Sequence, residues 1–352
     1  MLDDKIKISQ LDSKNMLGSI QLLGKQVEEV LALAKKVKIP ASYKKINNLV
    51  VLGMGGSALG AHLIKSVFLE DLKIPVEIVN GYEAPNFVNE KSLVVASSYS
   101  GSTEEIVSAV SDAKKKKAKI MVICSGGKLV DFAKQNKIPA LVFTTNNNPC
   151  GSPRMGLGYS IFGQIALLAS AGHIKFSEVK NVLQTISKYN SLFGVDNLEA
   201  KNPAKRLATS LQGKSIWYAG SEHLSGNAHI AANQINENAK RFGGYFIIPE
   251  MNHHLMEGTP YPESNQKDIK FVLLESQLYD KRVQKRYEIT KQVLDNKKIE
   301  FASYQCQENK KLLQACEVLV LGSYVSFYSA MMQGIDPTAI PLVDFFKAQL
   351  SK

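Results

Sequence analysis

No apolar stretch follows a basic start in MLDDKIKISQLDSKNM, and nowhere among the 352 residues is there a run of about eighteen apolar ones. A secretory leader and a membrane span are therefore not expected. The four cysteines, Cys124, Cys150, Cys306 and Cys316, form no CxxC and stand at no zinc-ligand spacing from a histidine. They are expected to be reduced thiols of a cytoplasmic protein, with no structural metal. Nucleic-acid modules and an appended helix-turn-helix region are also missing. The 43 Lys+Arg against 32 Asp+Glu leave a net charge of +11, but it is spread along the chain. Even the densest run, Lys114 to Lys117, fits an exposed helix end, where cations complement the dipole. Neither nucleic acid nor membrane is expected as a partner; an anionic small molecule suits the charge.

What is present is the 45% hydrophobic content of an ordinary globular chain, long enough for one large or two medium domains. From Asn47 onward, short β-branched runs (NLVVLG, VEIVN, LVVASS, KIMVICSG, ALVFT) alternate with helix-length segments such as 58–69 and 103–116. That alternation predicts an α/β fold with a mostly parallel sheet between helix layers. A helical section follows Arg154, with segments around 179–193 and 204–211. The pattern then resumes with KSIWYAGS, YFIIPE, IKFVLLE and IEFASYQ, separated by helical stretches around 223–240 and 281–296. ACEVLVLGSYVSFYSAMMQG reads as a buried helix and PLVDFFKAQL as a final amphipathic one. NNLVVLGMGGSALGAHL and GKSIWYAGSEHLSGNAHIAA each spell strand, Gly/Ser turn, helix, which points to internal duplication with a boundary near residue 175.

Two strand-to-helix turns carry the chemistry. In Gly53-Met54-Gly55-Gly56-Ser57-Ala58, glycines after a strand admit a ligand close to the backbone, and the helix N-terminus offers N–H groups to an anion. Ala58 occupies the last glycine position of a GxGxxG, which disfavours a dinucleotide. In Ser97-Ser98-Tyr99-Ser100-Gly101-Ser102-Thr103, five Ser and Thr hydroxyls precede Glu104 and Glu105. One hydroxyl suffices for a cap, whether Ser102 with Glu105 as a capping box or Thr103; five suit a phosphate dianion.

GMGGS and SSYSGSTEE, together with SPRMGLGYS, NQINENAK, EMNHHLMEG and DPTAIPLVDFFK, resemble the bifunctional phosphoglucose/phosphomannose isomerase family over nearly the whole chain. The resemblance implies two sugar-isomerase subdomains, 1–175 and 176–352, and reversible isomerisation of glucose 6-phosphate and fructose 6-phosphate, with mannose 6-phosphate a further substrate. It assigns the phosphate to Ser98, Ser100 and Thr103, with Gly55, Gly56 and Ser57 closing over the substrate. Arg154 matches the arginine beside the reacting carbons. Glu237 matches the base that moves a proton between C2 and C1 through a cis-enediol. On residue type alone, Glu237 would be an exposed helical glutamate paired with Lys240 or Arg241; its flanking asparagines are candidates to orient the carboxylate.

His253 matches a ring-opening imidazole given across a homodimer interface, and Lys347 a lysine assisting it. Adjacent His253 and His254 point in different directions on most backbones and have no third ligand at metal spacing, so no metal or other cofactor is implied. The chain departs from the family at Ile340, where a threonine is expected seven residues before the lysine. Thr338, two residues away, would face elsewhere, so the mannose reaction is expected to be weaker. A non-catalytic sugar-phosphate sensor and an amino-sugar phosphate isomerase are the alternative readings.

Overall fold

The computed structural model describes residues 1–350. Helices α1 (Lys5–Leu11), α2 (Met16–Gln21) and α3 (Leu23–Ala34) lead into β1 (Asn48–Leu52), α4 (Gly56–Val67), β2 (Val76–Val79), β3 (Ser92–Ser98), α5 (Glu104–Lys115), β4 (Lys119–Cys124), α6 (Gly127–Gln135) and β5 (Ala140–Val142). Three helices, α7 (Leu157–Ser170), α8 (Val179–Phe193) and α9 (Pro203–Ser210), precede the second array. This comprises β6 (Ser215–Gly220), α10 (Ser225–Ala239), β7 (Gly243–Ile247), the short α11 (Leu255–Gly258) and α12 (Asn265–Asp268), β8 (Ile269–Glu275), α13 (Lys281–Asn296) and β9 (Glu300–Gln305). The long α14 (Lys311–Met332) and α15 (Pro341–Leu350) follow.

Both sheets are wholly parallel, with strand orders β2-β1-β3-β4-β5 and β7-β6-β8-β9. The first four strands of each array thus take the same places, as the duplicated motifs predict. In the inner strands β1, β3 and β4 of the first sheet apolar residues fill consecutive positions because both faces are covered, whereas the edge strand β2 carries the exposed Glu77. Val50, Leu52, Val94, Ala96, Ile120 and Val122 pack with Ile106 and Val110 of α5 and Leu129 of α6. Their neighbours Leu49, Val51, Leu93, Val95, Met121 and Ile123 join the larger core with α3, α4 and α7. Alternate side chains point to opposite faces, so an uninterrupted apolar run becomes two cores. Truncating Leu93, Ile120, Met121 or Ile123 to alanine is expected to cost about 2–5 kcal/mol.

The two arrays meet through their equivalent helices. On α4 and α10, the rings of His62 and His229 stand edge to face at 4.2 Å. The helices cross closely because Gly226 has no side chain: a Cβ there would lie 2.6 Å from the His62 carbonyl oxygen. Helix α14 passes behind α10 and is buried from Leu312 to Met331. It is long and apolar enough to cross a membrane, yet 94% of its apolar window is buried inside the protein.

The 114–117 run marks an exposed helix end as expected: Lys114 and Lys115 lie in the last turn of α5, and Lys116 at its C-cap pairs with Asp112 at 2.7 Å. Helix α15 has the bounds its pattern predicts, but no residue of it is buried. Leu342, Phe345, Phe346 and Leu350 are all more than half exposed, so the apolar face has no partner within the described chain.

Candidate active site

In a sheet of order 2-1-3-4-5 the strand order reverses between β1 and β3, and ligands bind beyond the carboxyl ends of those strands. Both Gly/Ser turns emerge there. After β3, the buried Ser98 shares a 2.8 Å hydrogen bond between its Oγ and Thr103 Oγ1. The Gly101 N–H donates to Ser98 at both its carbonyl oxygen and its Oγ, each at 3.1 Å. Only glycine fits at 101: φ is +69°, and a Cβ would lie 1.7 Å from the Gly126 carbonyl oxygen. Ser100 is exposed, and its Oγ accepts from the Ser102 N–H at 3.3 Å.

The capping alternatives are not realised. Thr103 is the N-cap residue of α5, but its hydroxyl caps no N–H, being engaged with Ser98. Ser102 Oγ accepts from Lys128 N–H across to α6, not from its own helix. The first-turn N–H groups of α5 thus lack a side-chain cap and face the end of the sheet. Glu104 and Glu105 already complement the dipole of that turn. Attraction for a dianion therefore rests on N–H groups and hydroxyls, not on net charge.

The turn after β1 ties this loop to the rest of the site. Ser57 Oγ accepts from Tyr99 N–H at 2.8 Å, and Ser97 Oγ donates to the Ser57 carbonyl at 2.8 Å. Gly55 has φ +47° and nothing within 4 Å of a would-be Cβ, so its face is open. Gly56 is the reverse: a Cβ would stand 2.8 Å from Arg154 N. The absence of a side chain there lets α4 begin directly against the 3₁₀ turn Pro153–Met155.

Arg154 is the hub. It is 1% exposed, and four of its five N–H groups are engaged. Nε donates to Asn238 Oδ1 at 2.5 Å, Nη1 to Glu237 Oε2 at 3.1 Å, and Nη2 to the carbonyl oxygens of Pro337 at 3.1 Å and Thr338 at 3.0 Å. Burial lowers its pKa and the charge of Glu237 pulls it back up; the guanidinium stays charged. The side chain of Glu237 is 31% exposed, leaving one carboxylate face open beside a fixed cation.

Sequence reasoning brings Arg154 and Glu237 into one site but misplaces the supporting groups. Neither Lys240 nor Arg241 pairs with Glu237: Lys240 Nζ donates to the carbonyls of Asn238 and Asp336, and Arg241 to that of Leu211. Asn236 bonds to the carbonyls of Ala232 and Gly243, and Asn238 orients Arg154, not the carboxylate. Asn238 is itself held by Ser326 Oγ at 3.0 Å, while Gln234 Nε2 bonds Ser323 Oγ at 3.0 Å and the Arg154 carbonyl at 3.3 Å. The only trace of this network in the sequence is spacing: Gln234 and Asn238 are four apart on α10, and Ser323 and Ser326 interrupt the apolar run of α14.

Among the described residues, no bond draws His253, Lys347 or Ile340 to Arg154. His253 ends the 3₁₀ turn Glu250–His253 and is exposed; its neighbour His254 pairs with Glu250 at 3.0 Å. Lys347 is exposed on α15. Ile340 is half-buried, its carbonyl accepting from Asp344 N–H. Thr338, expected to face away, has its carbonyl on Arg154, and its Oγ1 is buried with no partner among the described residues.

Buried aromatic rings occupy the equivalent place on the second sheet. Tyr279 follows β8 and donates its hydroxyl to the Leu274 carbonyl, its ring 5.2 Å from that of the buried His223.

Residues 42–138 match the SIS domain family and residues 200–350 the bacterial phospho-glucose isomerase C-terminal SIS domain family. A bifunctional phosphoglucose/phosphomannose isomerase of Caldicellulosiruptor bescii is 32% identical over 96% of this chain and 99% of its own. One from Thermoplasma volcanium is 29% identical over 92% and 99%. A hypothetical protein from Thermus thermophilus superposes with a TM-score of 0.77 at 16% identity, covering 99% of this chain and 93% of the other.

Proposed function

The chain belongs to the bifunctional phosphoglucose/phosphomannose isomerase family, and on that premise we propose that it interconverts glucose 6-phosphate, fructose 6-phosphate and mannose 6-phosphate through a cis-enediol. The observation that carries the reading is the Arg154–Glu237 pair: a buried arginine at 3.1 Å from a carboxylate with an open face. Ser98, Ser100 and Thr103 take the 6-phosphate, supported by the uncapped start of α5. The Gly55-Gly56-Ser57 turn spans the distance from that loop to Arg154, placing the sugar carbons towards Glu237. Glu237 takes the C2 proton and returns it at C1. The engaged N–H groups of Arg154 fix its remaining Nη1 donor, and its charge opposes the negative charge that develops on the enediolate oxygen, an interaction stronger in the transition state than in the substrate. Ring opening falls to His253 and Lys347.

The assembly is read as a homodimer in which His253 serves the neighbouring subunit. Its exposure, with no bond to its own Glu237, and the uncovered apolar face of α15 support that arrangement. Two subdomains, 1–175 and 176–352, are supported by one sheet in each. Cytoplasmic residence is supported by four buried, unpaired cysteines. The deciding experiment supplies fructose 6-phosphate and measures glucose 6-phosphate and mannose 6-phosphate separately. Formation of neither product would overturn the isomerase reading in favour of a sensor.

A further inference from the structure

The root of α15 is held at three consecutive carbonyls by two cations. Lys240 Nζ donates to the Asp336 carbonyl at 2.6 Å and to that of Asn238 at 3.1 Å. Arg154 Nη2 takes the next two carbonyls, those of Pro337 and Thr338. Lys240 stands three residues beyond Glu237, just past the end of α10, with a left-handed φ of +49°. That conformation takes its side chain off the helix face and onto the 336–338 segment. No residue of the helix that follows is buried within its own subunit, and ten residues alone make a marginal helix. Within the subunit, the clamped root therefore ties α15, and Lys347 on it, to the end of α10.

We propose that Lys240 is a positioning residue for the isomerase reaction: by pinning the Asp336 carbonyl to the end of α10, it sets the place of α15 relative to Glu237. The inference rests on the reading of Lys347 and Glu237 given above. The charged groups around the ammonium are Arg154, Glu237 and Asp336, with Asp12 acting on Asp336 from the α1–α2 connection. Asp336 is held in turn by Thr338 N–H and Ser13 Oγ. Burial and the neighbouring Arg154 pull the Lys240 ammonium down to about 8, so its charge, and the clamp with it, weakens as pH rises through that value.

The test uses the full chain with three substitutions. Lys240→Met removes the ammonium. Lys240→Gly removes it too, and glycine is at home at this positive φ, so folding is not at risk. Lys240→Arg keeps the charge. With fructose 6-phosphate as substrate, the Met and Gly variants should lose about tenfold in kcat with KM within about twofold, the signature of misplaced groups rather than lost binding. Lys240→Arg should keep kcat and hold it above pH 8, where the parent declines.

A second readout is independent of activity. A dye on Leu342→Cys reports the motion of α15; the native cysteines are all buried and leave the new thiol as the one to react. Its fluorescence anisotropy should fall when Lys240→Gly is added. Unchanged anisotropy with unchanged kcat overturns the proposal, and so does a rise in KM alone, which would make Lys240 a substrate contact. An inactive parent chain would refute the isomerase reading, leaving the anisotropy to decide the clamp.

Discussion

Replacing Glu237 by glutamine isolates the base from its surroundings. Glutamine retains a side-chain oxygen for Arg154 Nη1, now 3.1 Å from a carboxylate oxygen, and removes the charge and the proton acceptor. Breaking a fully buried pair costs about 3–5 kcal/mol. Here the glutamate side chain is 31% exposed, and Arg154 keeps Asn238 and two backbone carbonyls. The stability loss is therefore discounted to about 1 kcal/mol, a fall in Tm of about 2 °C for a chain of this size. Turnover should fall much further, by about 10²–10⁴, the contribution of a positioned general base, equivalent to about 3–5 kcal/mol of barrier. KM should change little, since the loop proposed for the phosphate precedes α5 and Glu237 stands apart from it on α10. The assay is fructose 6-phosphate turnover with a dehydrogenase-coupled readout, with deuterium uptake from D₂O at the C1–C2 positions followed by NMR. A folded variant with turnover within about tenfold of the parent, or with undiminished deuterium uptake, would refute the assignment of Glu237 as base.

Ser100→Ala with Thr103→Ala should raise KM by an order of magnitude or more with little change in Tm, because neither hydroxyl caps α5; unfolding at unchanged KM would return these hydroxyls to a structural role. His223 is 1% exposed and burial lowers its pKa to about 4, so below pH 6.5 the unfolded chain takes up a proton that the folded one refuses. Its stabilising effect is complete above pH 6.5 and shrinks by about 3 kcal/mol as pH falls to 4; urea midpoints across that range should fall less steeply in His223→Gln. Mixing inactive Glu237→Gln and His253→Ala chains should restore part of the activity through hybrid dimers, whereas an active monomer by light scattering would exclude the shared site. Ile340→Thr should raise the mannose-to-glucose product ratio, and an unchanged ratio would place Ile340 outside the pocket.

The fold was legible because its signals are local. The segment 281–296 has the expected bounds to the residue, and the strand runs stop where Gly, Ser, Asn or Pro stops them. Helix α15 shows the limit: periodicity identifies an apolar face but not whether the same chain covers it. That the hydroxyls after β3 do more than cap a helix was legible as well, since five Ser and Thr hydroxyls between a strand and a helix exceed what capping needs, and none of them caps α5. The Arg154–Asn238–Ser326 chain was not, because it joins a 3₁₀ turn, α10 and α14 across gaps of 84 and 88 residues, where no sequence period operates.

The partners expected for Glu237 fail for a definite reason. Lys240 and Arg241 lie at helical reach only if α10 continues, but it ends at Ala239 and Lys240 turns left-handed. Counting back from Lys347 along a helix fails in the same way, because α15 starts at Pro341. Before Pro341 the chain is positioned by its carbonyls, which Lys240 and Arg154 hold, rather than by helical geometry. Thr338 consequently lies against the arginine although its spacing from Lys347 says otherwise. Its buried hydroxyl has no partner among the described residues, and a buried hydroxyl without a hydrogen bond is costly. A ligand hydroxyl beside Arg154 is one group that would satisfy it.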